Sequence, residues 1–217
     1  MQLILDPRHI PSGCPACSRP AALPDKVRQL GHLPSVDRLL PGDLILISPL
    51  APTWTQKVIR KAQETGGYSP SDAQWTHAAV YLGTRFAICE ATALKGVRQG
   101  SMLDSLANHV IRVRRDNAMD SDTRWRMALE AVLQIGTRYG LVSGAKFGFR
   151  ALTGLHRPQK TKTQSTSALN CSELFADAHQ FATGRTLQWQ HPGREVSPAF
   201  LSFVPELTDV AMEWQRI

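Results

Sequence analysis

Trp75-Thr76-His77-Ala78-Ala79-Val80-Tyr81-Leu82-Gly83-Thr84-Arg85-Phe86-Ala87-Ile88-Cys89-Glu90-Ala91 reads as two β-strands folded back on each other. Short runs rich in β-branched and aromatic residues flank a Gly-Thr step, which predicts strands over 75–82 and 85–91 joined at Gly83-Thr84. A glycine in the first loop position suits a type II′ turn, which needs positive φ there. That turn sets Leu82 against Arg85 and, counting back, His77 against Glu90. Directly opposed residues share a face, with Cβ atoms roughly 5 Å apart. The hairpin therefore predicts a His77/Glu90 pair, with Cys89 turned to the other face.

Working outward toward the N-terminus, Asp43 to Ser48 is a short apolar run bracketed by Pro41-Gly42 and Pro49, a buried strand by its punctuation. A helix is predicted to follow. Thr53 and Gln56 have capping-box spacing, Trp54, Val58, Ile59 and Ala62 share a face, and Gly66-Gly67 stops the pattern. Residues 1–40 are expected to be an irregular, proline-rich arm on the main domain, because seven of the fourteen prolines fall within the first 41 residues. The main domain is expected over 41–217.

Toward the C-terminus, Arg124 to Ile135 has the clearest helical stripe (Trp125, Ala128, Leu129, Val132, Leu133), capped by Ser121 or Asp122. Residues 141–155 read as helix interrupted by glycines, and 156–168 as a basic, Ser/Thr-rich loop. Asn170 and Glu173 stand at N-cap and N3 of a last helix that carries Leu174, Phe175, Ala178 and Phe181 on one face. This places Cys171 in a first helical turn.

A cysteine at a helix start has its thiolate stabilised by free backbone N–H groups and the positive end of the helix dipole. A nucleophilic thiol also needs a base, and the base an orienting acceptor on its other ring nitrogen. His77 and Glu90 supply both roles on paper. The competing reading is a small buried hydrophobe at 171 and a structural strand histidine.

Four pieces of sequence, in order, carry a resemblance: Pro41-Gly42-Asp43-Leu44-Ile45, Thr76-His77-Ala78-Ala79-Val80-Tyr81-Leu82-Gly83, Ile88-Cys89-Glu90-Ala91 and Asn170-Cys171-Ser172-Glu173-Leu174. Together they resemble the signature of circularly permuted NlpC-type papain-like cysteine hydrolases, of which the YiiX-like and lecithin:retinol acyltransferase-like proteins are branches. In this group the histidine precedes the nucleophile helix, as here. The similarity spans roughly residues 41–182. It implies an α+β papain-like fold with a central antiparallel sheet packed against the Cys171 helix, Cys171 as nucleophile, His77 as general base and acid, and Glu90 as the group orienting His77. It further implies acyl transfer through a thioester with no metal or organic cofactor, and a cell-wall peptide amide as preferred substrate. The lipid-directed acyltransferases or thioesterases of the second branch are the alternative, with residues 141–155 as an apolar membrane-facing segment. A cleft retained for binding alone is the non-enzymatic alternative. Trp75 and Tyr139 are candidate substrate contacts.

The full chain has 217 residues, with 25 Lys and Arg against 18 Asp and Glu, a formal charge of +7. The excess is localised. No acidic residue lies between Glu130 and Glu173, while Arg138, Lys146, Arg150, Arg157, Lys160 and Lys162 do. Leading directly into Cys171, this stretch reads either as a solvated loop or as a collar attracting an anionic amide substrate, with Lys160 and Lys162 nearest the nucleophile. Aromatic residues are not interleaved with the basic ones, so nucleic acid is not an expected partner.

Cys14 and Cys17 have the spacing of half a zinc knuckle, with His9 and His32 as paper ligands, yet a closed site needs four ligands and these spacings match no strong pattern. A plain loop is expected there. The N-terminus lacks the basic start and long apolar run of a signal peptide, and no stretch reaches the roughly 18 apolar residues of a membrane span. The expectation is a cytoplasmically made chain with no stable membrane insertion. Combined with a wall substrate, it becomes a toxin exported by a specialised secretion machine, with an immunity protein as partner.

Overall fold

The computed structural model describes residues 1–16, 23–136, 171–187 and 196–217. The expected helix over 141–155, the basic loop 156–168, Asn170, Tyr139, Lys160, Lys162 and Cys17 lie outside the described residues.

Strand β1 (Ile4–Leu5), helix α1 (Asp25–Leu30) and strand β2 (His32–Pro34) precede β3 (Leu44–Pro49), α2 (Trp54–Thr65) and the short α3 (Pro70–Ala73). There follow β4 (His77–Tyr81), β5 (Ala87–Thr92), β6 (Gly96–Ser101), α4 (Leu103–Leu106), β7 (His109–Arg115) and α5 (Ser121–Leu133). Helix α6 (Cys171–Thr183), α7 (Pro198–Phe203), β8 (Thr208–Asp209) and β9 (Trp214–Arg216) complete the described elements. The chain is α+β. Its main sheet runs β1-β7-β3-β4-β5-β6, with β8 also on β7, and all its pairings are antiparallel.

Both faces of the sheet are covered. Leu44, Leu46, Ala78, Val80 and Cys89 pack with Met127 and Ala128 of α5 and with Cys171, Leu174 and Phe175 of α6. Ile45, Ile47, Ala79, Ile111 and Val113 on the reverse face lie under Leu5, Val27, Leu33, Met212 and Trp214. A buried Val, Leu or Ile side chain contributes roughly 1.5–3 kcal/mol, so baring the reverse face would remove a sum comparable to the about 5–15 kcal/mol by which a domain is stable. The described part of residues 1–40, expected to be irregular, holds β1, α1 and β2. Pro24 serves as the N-cap of α1, and Pro34 ends β2, which pairs with β9. Proline is tolerated at such positions because no helix or ladder bond is lost.

Helix α2 starts as its sequence dictates. The Thr53 N–H donates to Gln56 Oε1 at 2.8 Å and the Gln56 N–H to Thr53 Oγ1 at 3.5 Å, a complete capping box. The helix is fastened by Gln63, whose buried amide donates to the carbonyls of Ala73 and Trp75 and accepts from the Ala199 N–H. Trp54, expected on the inner face, is exposed.

Helix α5 turns a different face inward from the one its apolar stripe predicted. Asp120, rather than Ser121 or Asp122, is the cap, accepting from the Thr123 N–H. Arg124, Met127, Ala128 and Ala131 are buried, while Trp125, Leu129, Val132 and Leu133 are exposed. The reason is a polar anchor. Arg124 donates to the Asp116 carbonyl at 2.6 Å and stands 3.7 Å from the fully buried Asp43 carboxylate. In α6 a similar rotation leaves Phe181 exposed and buries His179, bonded to Asp116 Oδ2 at 2.9 Å.

The central hairpin differs from prediction in its turn. Leu82 faces Ala87, its N–H bonding the Ala87 carbonyl at 3.0 Å, so the loop holds four residues, Gly83 to Phe86, rather than two. The Tyr81 hydroxyl donates to the Arg85 carbonyl at 2.8 Å and stabilises the wider loop, in which Gly83 (φ 80°) and Arg85 (φ 47°) both have positive φ. A Cβ on Gly83 would come within 2.6 Å of Pro41 Cγ and 2.8 Å of Trp125 Cη2. Gly83→Ala is therefore expected to lose roughly 1–3 kcal/mol from backbone strain alone. Urea denaturation would check this, and a wild-type midpoint would refute it.

Candidate active site

The hairpin register slips by two residues from the predicted one: Ala79, not His77, stands directly opposite Glu90. Because strand faces alternate with period two, an even slip preserves which side chains share a face. His77 becomes the diagonal neighbour of Glu90, and the long glutamate side chain spans the gap. His77 Nε2 lies 2.8 Å from Glu90 Oε2.

Helix α6 delivers Cys171 to the same end of the sheet. Its thiol is buried and interacts with the His77 imidazole. With Nε2 engaged by Glu90, Nδ1 is the ring nitrogen left for sulfur. The β4–β5 register ends at Ala79–Glu90, and the Ala78 backbone N–H beyond it favours the Cys171 thiolate. Ser172 Oγ is 3.9 Å from that sulfur.

The electrostatics favour a separated charge pair. Burial works against an imidazolium at 77, but hydrogen bonds to Cys171 and Glu90 outweigh it and raise the His77 pKa well above its ordinary value. Burial likewise opposes a thiolate at 171, yet the His77 bond, the His77 charge and the Ala78 N–H together lower the thiol below its usual range. Glu90, itself buried, is held below the ordinary carboxylate range against the desolvation penalty by His77 and by Arg98. The two directions agree: thiolate on 171, imidazolium on 77, carboxylate on 90.

Two nearby residues were not found by sequence reasoning. Arg98, on β6 directly opposite Glu90, places Nη2 2.5 Å from Glu90 Oε1. A reading of Ala91 to Val97 as a second hairpin would have exposed this opposite-charge cross-strand pair. His109, at the start of β7, bonds the Ser105 carbonyl through Nδ1 at 3.0 Å, and its pKa is lowered by burial and by the nearby His77 charge. It comes from a strand two positions away in the sheet, so nothing local in the sequence announces it.

Trp75, a candidate substrate contact, is fully buried in the core cluster that includes Cys171. It has no surface to offer a substrate. Cys89 is buried too, its thiol donating to the Ala131 carbonyl and pushed up to about 12 chiefly by burial. Cys14 donates to the Pro11 carbonyl and His9 stands 3.2 Å from Asp6. No helix among the described residues is long and apolar enough to cross a membrane.

No family model matches the chain, and no curated protein does. Among solved structures it is similar to the crystal structure of the metalloprotein YiiX from Escherichia coli O157:H7, at 18% sequence identity and a TM-score of 0.53, over 81% of this chain and 98% of that one. At that identity the likeness is one of fold, α+β with an antiparallel sheet. The described residues do not fit a bound metal. None of their His, Cys, Asp and Glu side chains form a group of three placed to hold one, and both Glu90 oxygens are already engaged, by His77 and Arg98.

Proposed function

We propose that this chain is a cysteine hydrolase of papain-like, permuted NlpC type that cleaves amide bonds through a thioester. The observation that supports it is the chain of contacts from a buried thiol at the start of α6, through the His77 ring, to Glu90 Oε2 at 2.8 Å. In the reaction, the Cys171 thiolate attacks the substrate carbonyl carbon, forming a C–S bond. The backbone N–H groups at the helix start stabilise the oxyanion. The tetrahedral species collapses with C–N cleavage, and His77 gives its proton to the departing amine. Water then attacks the thioester, His77 takes its proton, and the carboxylic acid leaves as the thiolate returns. Glu90 holds the ring in one orientation throughout and favours its charged form.

Cell-wall peptide is the preferred substrate, in keeping with the resemblance and with a basic stretch leading into Cys171. A lipid-directed acyltransferase or thioesterase is the second reading, supported by the exposed stripe of Trp125, Leu129 and Leu133 on α5. Purified protein incubated with peptidoglycan fragments and, separately, with phospholipid vesicles should release amine and carboxyl products only from the former, as read by mass spectrometry. Cleavage of lipid alone would overturn the wall assignment.

A further inference from the structure

We propose that Arg98 and Gly100 are positioning residues of this site, fixing the Glu90 carboxylate in the single orientation that meets His77. The inference rests on the proposed Cys171–His77–Glu90 reading and adds to it the means by which the last member is held.

A glutamate carboxylate rotates over a broad, shallow torsional range. One contact, to His77, would leave it free to swing. In this site the second oxygen is held as well, by Arg98 Nη2 at 2.5 Å, so the group is pinned between two cations on opposite oxygens. Among the described residues, Glu90 is the carboxylate with which Arg98 forms an ion pair.

Gly100 supplies the space. It lies on the same strand and face as Arg98, diagonal to Glu90, and a Cβ there would stand 2.7 Å from Glu90 Oε1 and 3.1 Å from its Cδ. Its φ is not in the left-handed region, so the backbone has no need of glycine. Glycine inside a strand is less favourable than alanine because its backbone loses more freedom on folding, and the room it gives the carboxylate is what offsets that cost. A methyl group could be accommodated only by moving the carboxylate off Arg98, His77 or both.

The two residues allow a test that separates position from charge. If Glu90 swings away, His77 loses the anion that favours its imidazolium and its pKa falls. Cys171 in turn loses part of its imidazolium partner and its pKa rises. The pH window of the ion pair narrows from both ends. Removing a cation with no change of position instead raises both pKa values, since every nearby anion is disfavoured and every nearby cation favoured.

Site-resolved alkylation of Cys171 by iodoacetamide, followed by mass spectrometry from pH 4 to 11, reads both limbs and needs no substrate. Gly100→Ala is expected to narrow the window by roughly one pH unit at each limb, whereas Arg98→Ala, which removes position and charge together, should raise the lower limb by more than that and leave the upper limb below the upward displacement that loss of charge alone would give. Arg98→Lys, which keeps the charge, should restore part of the window. Gly100→Ala carries particular weight because it alters no charge. Unchanged limbs in Gly100→Ala, with both limbs displaced upward together in Arg98→Ala, would overturn positioning and leave Arg98 as a counter-charge only. Wild-type profiles in both variants would overturn the inference outright. Should wild-type Cys171 itself titrate as an ordinary thiol, the ion-pair reading beneath it fails first, a different and separately visible result.

Discussion

Cys171 in His77→Ala is expected to lose nearly all of its reactivity toward a neutral electrophile at pH 6. In the wild type, His77 and the Ala78 N–H hold the thiol below its usual range despite burial, so thiolate persists under mildly acid conditions. Without His77 the stabilising bond and charge both disappear, while the burial that raises the pKa remains. A thiol of ordinary pKa, about 8.5, is only about 0.3% ionised at pH 6. A reactivity loss on the order of 100-fold or more follows, and burial can only enlarge it. The difference should shrink as pH rises toward 9 and the ordinary thiol ionises. Catalysis should fall further, by roughly 10⁴-fold or more, because nucleophile and base act as a unit. Equal alkylation of Cys171 in the two proteins at pH 6 would remove His77 from the catalytic assignment.

The largest stability effect is expected at Asp43, far from the chemistry. Its carboxylate is fully buried and receives Arg115 through both oxygens, Nε to Oδ1 at 2.7 Å and Nη2 to Oδ2 at 2.6 Å. The Leu40 N–H donates to Oδ2 at 2.8 Å, and Arg124 Nη1 stands 3.7 Å from Oδ1. One anion thus serves two guanidinium groups that are themselves largely buried. Forming such a pair gains little net energy, because desolvation offsets attraction, but removing one partner strands the other charges in the interior. Asp43→Ala is expected to destabilise by about 3–5 kcal/mol. At roughly 2–4 °C per kcal/mol for a chain of this size, the melting temperature should fall by on the order of 10 °C. Asp43→Asn, which keeps the acceptor oxygen, should fall less. Calorimetry showing under about 1 kcal/mol for the alanine variant would refute the account. Because Asp43 touches none of the site residues, the folded fraction should alkylate Cys171 as the wild type does.

These two cases mark how far local sequence reaches. Asp43 stands out on sequence only as part of a Pro-Gly-Asp turn. Its second role depends on Arg115, 72 positions away, and on a helix face that places Arg124 inward. The apolar stripe of α5 misled for the same reason. Trp125, Leu129 and Leu133 are periodic and apolar, but the face a helix buries is chosen by its neighbours, and here a buried arginine and two small alanines fit against α6 and the Asp43 turn. Periodicity gives the existence of a helix more securely than its rotation.

By itself the sequence determined what is set by neighbours along the chain. The Thr53 capping box closes within four residues, and the alternation of strand side chains keeps His77 and Glu90 on one face even when the turn between them is four residues long rather than two. A period of two makes that outcome indifferent to any even slip. Tertiary structure decided everything that required a partner from elsewhere. The true register, Arg98 brought opposite Glu90 by a third strand, the space at Gly100, and the covering of the reverse sheet face by both chain ends are settled by pairings across many residues. Local torsional preferences cannot encode such contacts. They form when the whole sheet assembles and brings buried charges such as Asp43 and Glu90 to their partners.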